Sequence, residues 1–308
     1  MQGTSLVYSS HDRCEYIHNH FIVQRALRGR ENRRIFFLPM SEHELHAQEF
    51  SWSRFEWYFR FYEQYGLEAF PFYFRDGLAH QDVQFLWSAL RSSEVVILDG
   101  GSPARGMQRY RSPGANYDGE PGKFGRLLHE RRERGLLTVG FSAGADQLCE
   151  RMFRDFKRPG PGNEGFGLVR HAMVTLHHDS SWNRELQEAA RRYQQYRVFG
   201  LPNDSGLSSD WGFLPSGNIW QAIEFVIDNS WDNPSDAPHI KTRQGAKIDH
   251  FYPDGRHWAF GGGERLVRIT SQDGRFDDAW FTSGGQFLHY WTQSPSGFTS
   301  IEEILRSH

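Results

Sequence analysis

The chain is poor in cysteine, with two in 308 residues, Cys14 and Cys149. One pair cannot build a disulfide scaffold, and no Cys pair offers a zinc site, so stability must come from a buried core, which this length can supply. Long apolar runs are also missing. No stretch of about 18 apolar residues occurs, so a membrane span is not expected. No N-terminal segment combines a basic start, an apolar run and a small-residue cleavage site. A dominant sign of charge is lacking too: the formal net charge is −3, with acids and bases interspersed. That balance gives no broad electrostatic reason to expect nucleic acid. The one local basic cluster, HERRERG at 129–135, reads as the solvated face of a helix end. Repeats, low-complexity tracts and long linkers are absent. The expectation is a cytoplasmic protein with neither nucleic acid nor membrane as partner.

Aromatic residues, by contrast, are plentiful at 15%. Many fall in FSWSRFEWYFRFYEQYG, residues 50–66, too densely for one amphipathic stripe. Short β-rich runs at 6–9, 34–39, 67–74, 94–98 and 136–140 alternate with helix-length stretches at 16–28, 50–65, 80–91 and 122–134. This alternation predicts an α/β fold with a mainly parallel sheet, whose strands read as continuous apolar runs because both faces are buried. After about residue 215 the texture changes. Asp-Gly pairs at 254–255 and 273–274 sit between aromatic and β-branched runs, a hairpin signal. The expected organisation is an α/β unit over 1–215 and a β-rich C-terminal extension over 216–308 packed on it. PSDAP at 234–238 is the expected loop between the parts, and SIEEILRSH at 300–308 a closing helix.

Within LLTVGFSAGADQLCE, residues 136–150, the run Gly140-Phe141-Ser142-Ala143-Gly144 fits G-x-S-x-G. A serine on a sharp strand-to-helix turn exposes its hydroxyl, and small neighbours let the backbone pack closely. The N–H of Ala143 then faces a developing oxyanion, and EVVILDGGSPARG at 94–106 ends a strand in Gly100-Gly101, a natural second donor. A serine hydroxyl needs a base. LVRHAMVTLHHDSSW at 168–182 supplies His171, His177 and His178.

Four features in chain order resemble the serine peptidases of the cyanophycinase and aspartyl dipeptidase (dipeptidase E) group. They are the strand ending in Gly100-Gly101, the elbow Gly140 to Ala145, the segment Gly165-Phe166-Gly167-Leu168, and His177 beyond it. VFGLPNDSGLSSD at 198–210 looks like the glycine-rich strand that follows in these enzymes. The resemblance covers roughly residues 1–215 and implies a class I glutamine-amidotransferase-like fold, a flavodoxin-like three-layer arrangement, without cofactor or metal. It implies Ser142 as nucleophile, His177 as general base, and the N–H groups of Gly101 and Ala143 as oxyanion hole, with Gly100 and Arg184 at a small peptide substrate. For the acid that orients the base it points to Asp155, with Glu164, Glu150 and Asp204 as alternatives. Two departures bear on specificity. The Asp-Gln pair that cyanophycinases carry before the histidine is replaced by Thr175-Leu176, and HDSSWNREL offers only Arg184 where they are arginine-rich. The reading is therefore a serine peptidase cleaving a short peptide or isopeptide, with aspartyl substrates an open matter.

Two rivals remain at this level. An α/β-hydrolase-type esterase also uses G-x-S-x-G but places its histidine late, at His250, His257 or His289. A catalytically silent relative would keep the fold and bind a ligand. A metal enzyme fits less well: His43-Glu44-Leu45-His46 lacks the i, i+4 spacing of two ligands on one helical face, and neighbouring residues of His177-His178-Asp179 point to opposite faces of a strand. The extension, rich in aromatics, suits either a cover over the site or a homodimer contact.

Overall fold

The computed structural model describes residues 3–10, 15–153, 162–228, 246–292 and 306. The first half contains β1 (Ser5–Tyr8), then α1 (Glu15–Ile17) and α2 (Gln24–Leu27) joined through a π-helical His18–Val23, and β2 (Arg34–Leu38). There follow α3 (Leu45–Arg60), β3 (Glu68–Pro71), α4 (His80–Ser92), β4 (Val95–Leu98), α5 (Pro103–Pro113) and α6 (Lys123–Glu133). Next come β5 (Leu137–Phe141), α7 (Ala143–Leu148), β6 (Ala172–Thr175), α8 (Asn183–Arg192) and β7 (Arg197–Gly200). The remainder is β8 (Ser205–Phe213), β9 (Ile219–Ile227), β10 (Ile248–Phe251), β11 (His257–Phe260), β12 (Arg265–Thr270), β13 (Phe276–Phe281) and β14 (Phe287–Thr292).

All five apolar runs become strands, and they pair in parallel in the order β3-β2-β4-β5-β1. Side chains alternate across a strand, so each run feeds both faces of the sheet. Val7, Phe36, Leu38, Val96 and Leu98 join one core with Leu86, Leu90 and Leu127 from α4 and α6. Leu6, Ile35, Phe37, Ile97 and Val139 join the other with Ile17 and Ile22 and with Trp52 and Phe55 of α3. Helices thus cover both faces of the parallel part, the arrangement that hides its strands from water. The aromatic crowd divides accordingly: Trp52, Phe55 and Phe59 face inward at helical spacing, while Phe50, Trp57 and Phe61 are exposed. Helix α5 went unread in the sequence because its buried stripe is narrow, Gly106, Met107 and Tyr110 among polar residues. Its start is well signed all the same, with Ser102 as cap and Pro103 in the first turn.

Beyond β1 the sheet turns antiparallel and continues through β8, β9, β12, β13 to β14, giving a ten-stranded sheet among the described residues. A smaller sheet, β11-β10-β7-β6, lies beside it. Both Asp-Gly pairs form the expected hairpin turns, between β10 and β11 and between β12 and β13, with Gly255 at φ 91° and Gly274 at φ 84°. After residue 216, β9 and β12 to β14 are hydrogen-bonded into the same central sheet as β1 and β8, while β10 and β11 join the smaller one. A buried ion cluster reinforces this: Arg197 of β7 donates to Asp278 of β13, and Arg268 of β12 stands 3.6 Å from the same carboxylate, all three at 1% exposure or less. The expected inter-part loop at 234–238 lies outside the described residues, as does the closing helix at 300–308 apart from Arg306. No helix among the described residues is long and apolar enough to cross a membrane.

The basic cluster differs from its reading as a solvated face. Arg131 is 1% exposed and donates to the carbonyls of Leu90, Ser93, Glu94 and Leu137, tying α4 and α6 to the starts of β4 and β5. Burial holds its pKa down to about 9. Arg132 lies 3.5 Å over the Trp211 ring and donates to the Trp211 carbonyl. Charge patterning alone cannot distinguish such a clamp from a surface residue, because guanidinium donors satisfy buried carbonyls as readily as they meet water. Arg131→Met should leave those carbonyls unpaired and lower stability by about 3 kcal/mol, read as a shift of the urea midpoint at unchanged slope.

Candidate active site

Ser142 stands between β5 and α7 with φ 48° and ψ −117°, a region L-residues rarely occupy. The two glycines of the motif explain how the turn is held. A Cβ on Gly140 would lie 2.3 Å from the Gly144 carbonyl oxygen, and one on Gly144 would lie 2.2 Å from the Leu98 carbonyl oxygen of β4. The Ser142 N–H donates to the Tyr8 carbonyl, and that of Gly144 to the Asp99 carbonyl. Three neighbouring strands thereby fix the bend. Gly100 lies against the serine side chain, since a Cβ there would come within 3.3 Å of Ser142 Cβ and 3.7 Å of its Oγ.

The second glycine pair is equally constrained. Gly101 has φ 112°, and a Cβ on it would meet the Ser41 carbonyl at 2.5 Å. The Ser102 N–H donates to that same carbonyl. Ser41 is in turn held by Gln147 of α7, whose Nε2 donates to Ser41 Oγ at 3.0 Å and to the Pro103 carbonyl at 2.9 Å. Among the described residues the backbone N–H of Gly101 has no acceptor, and that of Ala143, in the first turn of α7, has none within its helix.

Of the three histidines offered by the sequence, His177 is the one that lines a cavity with Ser142. It follows β6 at φ 53°, and its N–H donates 2.7 Å to Ser9 Oγ at the end of β1. Its Nδ1 meets Asn203 Oδ1 at 2.7 Å. An amide oxygen only accepts, so in the neutral ring this contact selects the tautomer with the proton on Nδ1 and leaves Nε2 to accept. His171 instead sits over Arg268 and Glu150, with its pKa lowered to about 4 by burial and then by Arg268. His178 is turned to Asn183 Oδ1 at 2.9 Å and to Asp249 at 3.3 Å.

Asn203 is the residue that sequence reasoning missed. The expected orienting acid, Asp155, lies outside the described residues. Of the alternatives, Glu150 accepts from the His171 N–H and the Tyr196 hydroxyl, and none of Glu150, Glu164 and Asp204 lines the cavity that holds Ser142 and His177. The signal was present one position away, in the polar pair Asn203-Asp204 just past β7. A preference for a charged partner led past the amide. Arg184 is exposed on α8 and lines neither cavity beside Ser142. Of the late histidines, His250 and His257 belong to the small sheet and also line neither, while His289 stands in β14 of the central sheet.

The cavity holding Ser142 and His177 measures about 380 Å³ and includes Glu42, Ser51, Arg54 and Asp99. Asp99 ends β4, is 1% exposed, and accepts the Gly100 N–H on Oδ1. Burial pushes its pKa up to about 8; Glu42 adds to the rise, while the Ser51 hydroxyl and the Gly100 N–H oppose it. Burial thus biases the carboxyl beside the serine towards its neutral form, which suits a site where negative charge develops. A second cavity of about 380 Å³ is also lined by Ser142 and Gly101, together with Ala143 and Val174.

No family model and no curated protein sequence matches this chain. Among solved structures, a peptidase from an acI-B1 actinobacterium superposes with a TM-score of 0.56 at 15% identity, over 86% of this chain and 96% of that one. The likeness is one of fold, and it extends over both the parallel half and the strands that follow.

Asp99 makes stability depend on pH in a defined direction. Its folded pKa is raised, so between about pH 4 and pH 8 the unfolded chain binds fewer protons and stability falls as pH rises. Asp99→Asn, which fixes the neutral form, should match the parent near pH 4 and exceed it increasingly towards pH 8, as followed by denaturation across that range.

Proposed function

We propose that this chain is a serine hydrolase that cleaves an amide bond in a short peptide, on a class I glutamine-amidotransferase-like fold of the cyanophycinase and dipeptidase E kind. The observation that carries the reading is the strained Ser142 sharing a cavity with a histidine whose far nitrogen is already hydrogen-bonded. The solved neighbour, a peptidase of similar fold, agrees with it. In this reading Ser142 Oγ attacks the carbonyl carbon while His177 Nε2 takes its proton. The oxyanion rests on the Gly101 and Ala143 N–H groups. His177 then protonates the leaving nitrogen, the C–N bond breaks, and water hydrolyses the ester left on Ser142.

Asn203 takes the place a carboxylate holds in Ser-His-Asp sites. It fixes the tautomer and the ring orientation without pairing with the imidazolium charge, as the amide does in Cys-His-Asn peptidases. With a neutral partner on His177 and Asp99 pushed towards its neutral form, the backbone N–H groups are the main stabilisers of the oxyanion. His250 and His257 do not favour an esterase of the α/β-hydrolase type, since they stand in the small sheet and line neither cavity beside Ser142.

The test is peptide hydrolysis by variants of equal stability. Ser142→Ala should lower kcat by about 10³-fold or more, and Asn203→Ala by about 100-fold with little change in KM. Asn203→Asp should retain activity and move the acidic limb of the kcat/KM profile to higher pH, because a carboxylate favours the imidazolium. A merely structural Asn203 would leave that limb in place, and full activity in Ser142→Ala would remove the proposal.

A further inference from the structure

A pocket of about 450 Å³ lies between the segment after β3 and the helix after β4, and it shares no lining residue with the two cavities beside Ser142. The carboxyl ends of strands are where open α/β sheets receive ligands. Its walls come from residues 74–78 and from 105–117, on α5 and the turn beyond it, all inside the described stretch 15–153. Phe74, Leu78 and Tyr117 give it an apolar side, and its charged groups are three guanidiniums and the carboxyl of Asp76.

The three arginines are not equally committed. Arg75 is exposed and pairs with Asp82 at 3.3 Å. Arg109 is a strut: Nη1 donates to the carbonyls of Met40 and Glu42, and Nη2 to that of His43, bracing the segment around Ser41. Arg105 differs from both. Its Nη1 is buried without an acceptor, and among the described residues its guanidinium forms no ion pair. Burial raises the Glu42 pKa and the Arg105 charge opposes the rise, yet the two do not pair. Arg105 also stands in the first turn of α5, where the helix dipole disfavours a cation. Arg109 feels the same charge, its pKa lowered by burial and then by Arg105. Two neighbouring cations, one with an unmet donor, are an arrangement that an anion stabilises.

We propose that this pocket binds a small organic monoanion, a carboxylate on an aliphatic or aromatic carrier, with Arg105 as its anchor. One guanidinium with donors to give matches one carboxylate, and Asp76 in the lining opposes a second negative charge. Phe74, Leu78 and Tyr117 meet the carrier, and the amides of Gln108 and Asn116 offer neutral donors. The volume is that of a small-molecule site. The proposal draws on no residue of the hydrolase machinery and stands independently of that reading.

The experiment titrates the protein with 3-phenylpropionate, 3-phenylpropionamide and inorganic phosphate by calorimetry. The acid should bind with one site per chain, and the amide about 10-fold or more weaker. Arg105→Gln should weaken the acid by a similar factor and Arg105→Lys by less, because an ammonium keeps the charge but loses the fork. Without ligand, Arg105→Gln should denature at or above the parent's midpoint, since a buried donor without an acceptor is removed. Binding should persist in Ser142→Ala. In that variant Ala-Phe and its C-terminal amide separate two sources of the carboxylate: displacement of the acid by Ala-Phe alone marks a peptide terminus, and by neither a free acid. Equal binding of acid and amide, no binding of the acid, or displacement by both peptides alike would overturn the carboxylate assignment. Phosphate binding as tightly as the acid would overturn the apolar carrier. Unchanged affinity in Arg105→Gln, or loss of binding in Ser142→Ala, would overturn the placement of the site.

Discussion

The bend at Ser142 is the constraint from which the rest of the site follows. A serine at φ 48° is unfavourable by about 1–3 kcal/mol relative to ordinary backbone. The turn persists because it is wedged from three sides: Gly144 packs on the Leu98 carbonyl, Gly140 packs on the Gly144 carbonyl, and the Ser142 N–H is held by Tyr8. Any side chain larger than hydrogen at either glycine would force β4, β5 and α7 apart. The same wedge sets the Ala143 N–H in the first turn of its helix and places Gly100 against the serine side chain. Position and strain thus have one cause, the closeness of three strand ends.

Around this bend charge is kept low. Burial pushes Asp99 towards its neutral form, and the group facing His177 Nδ1 is an amide. Glu42 and Arg54 line one of the two cavities beside Ser142, and Asp146 and Glu185 the other. Strands beyond residue 216 support the site from behind. Arg197 and Asp278 pin β7 to β13, and Asp249 of β10 meets His178, the neighbour of His177. His178 is pressed further by Gly200, where a Cβ would come within 2.5 Å of its ring. The segment carrying His177 and the segment carrying Asn203 are therefore braced by the C-terminal strands.

The parallel half was legible in the sequence because burial on both faces leaves an unmistakable record: five apolar runs, each ending in a turn. The elbow was legible for the same kind of reason, since close packing demands glycine at fixed spacing. Both Asp-Gly hairpins were legible from turn chemistry. What was not legible depends on contacts far apart in the chain. Nothing local announces that Arg131 clamps four carbonyls, or that β9 and β12 to β14 continue the central sheet across the boundary at 215. Asn203 was hidden differently: its role is set by the ring 26 positions earlier that it meets, and its residue type is the less expected one for that task.

The most direct test of the account is mass mapping of the residue modified by a fluorophosphonate on the intact protein, with Ser142→Ala as control. The account predicts one label per chain, located on Ser142 and lost in the variant, whose denaturation midpoint stays close to the parent's. No labelling, labelling at another residue, or undiminished labelling of Ser142→Ala would contradict it.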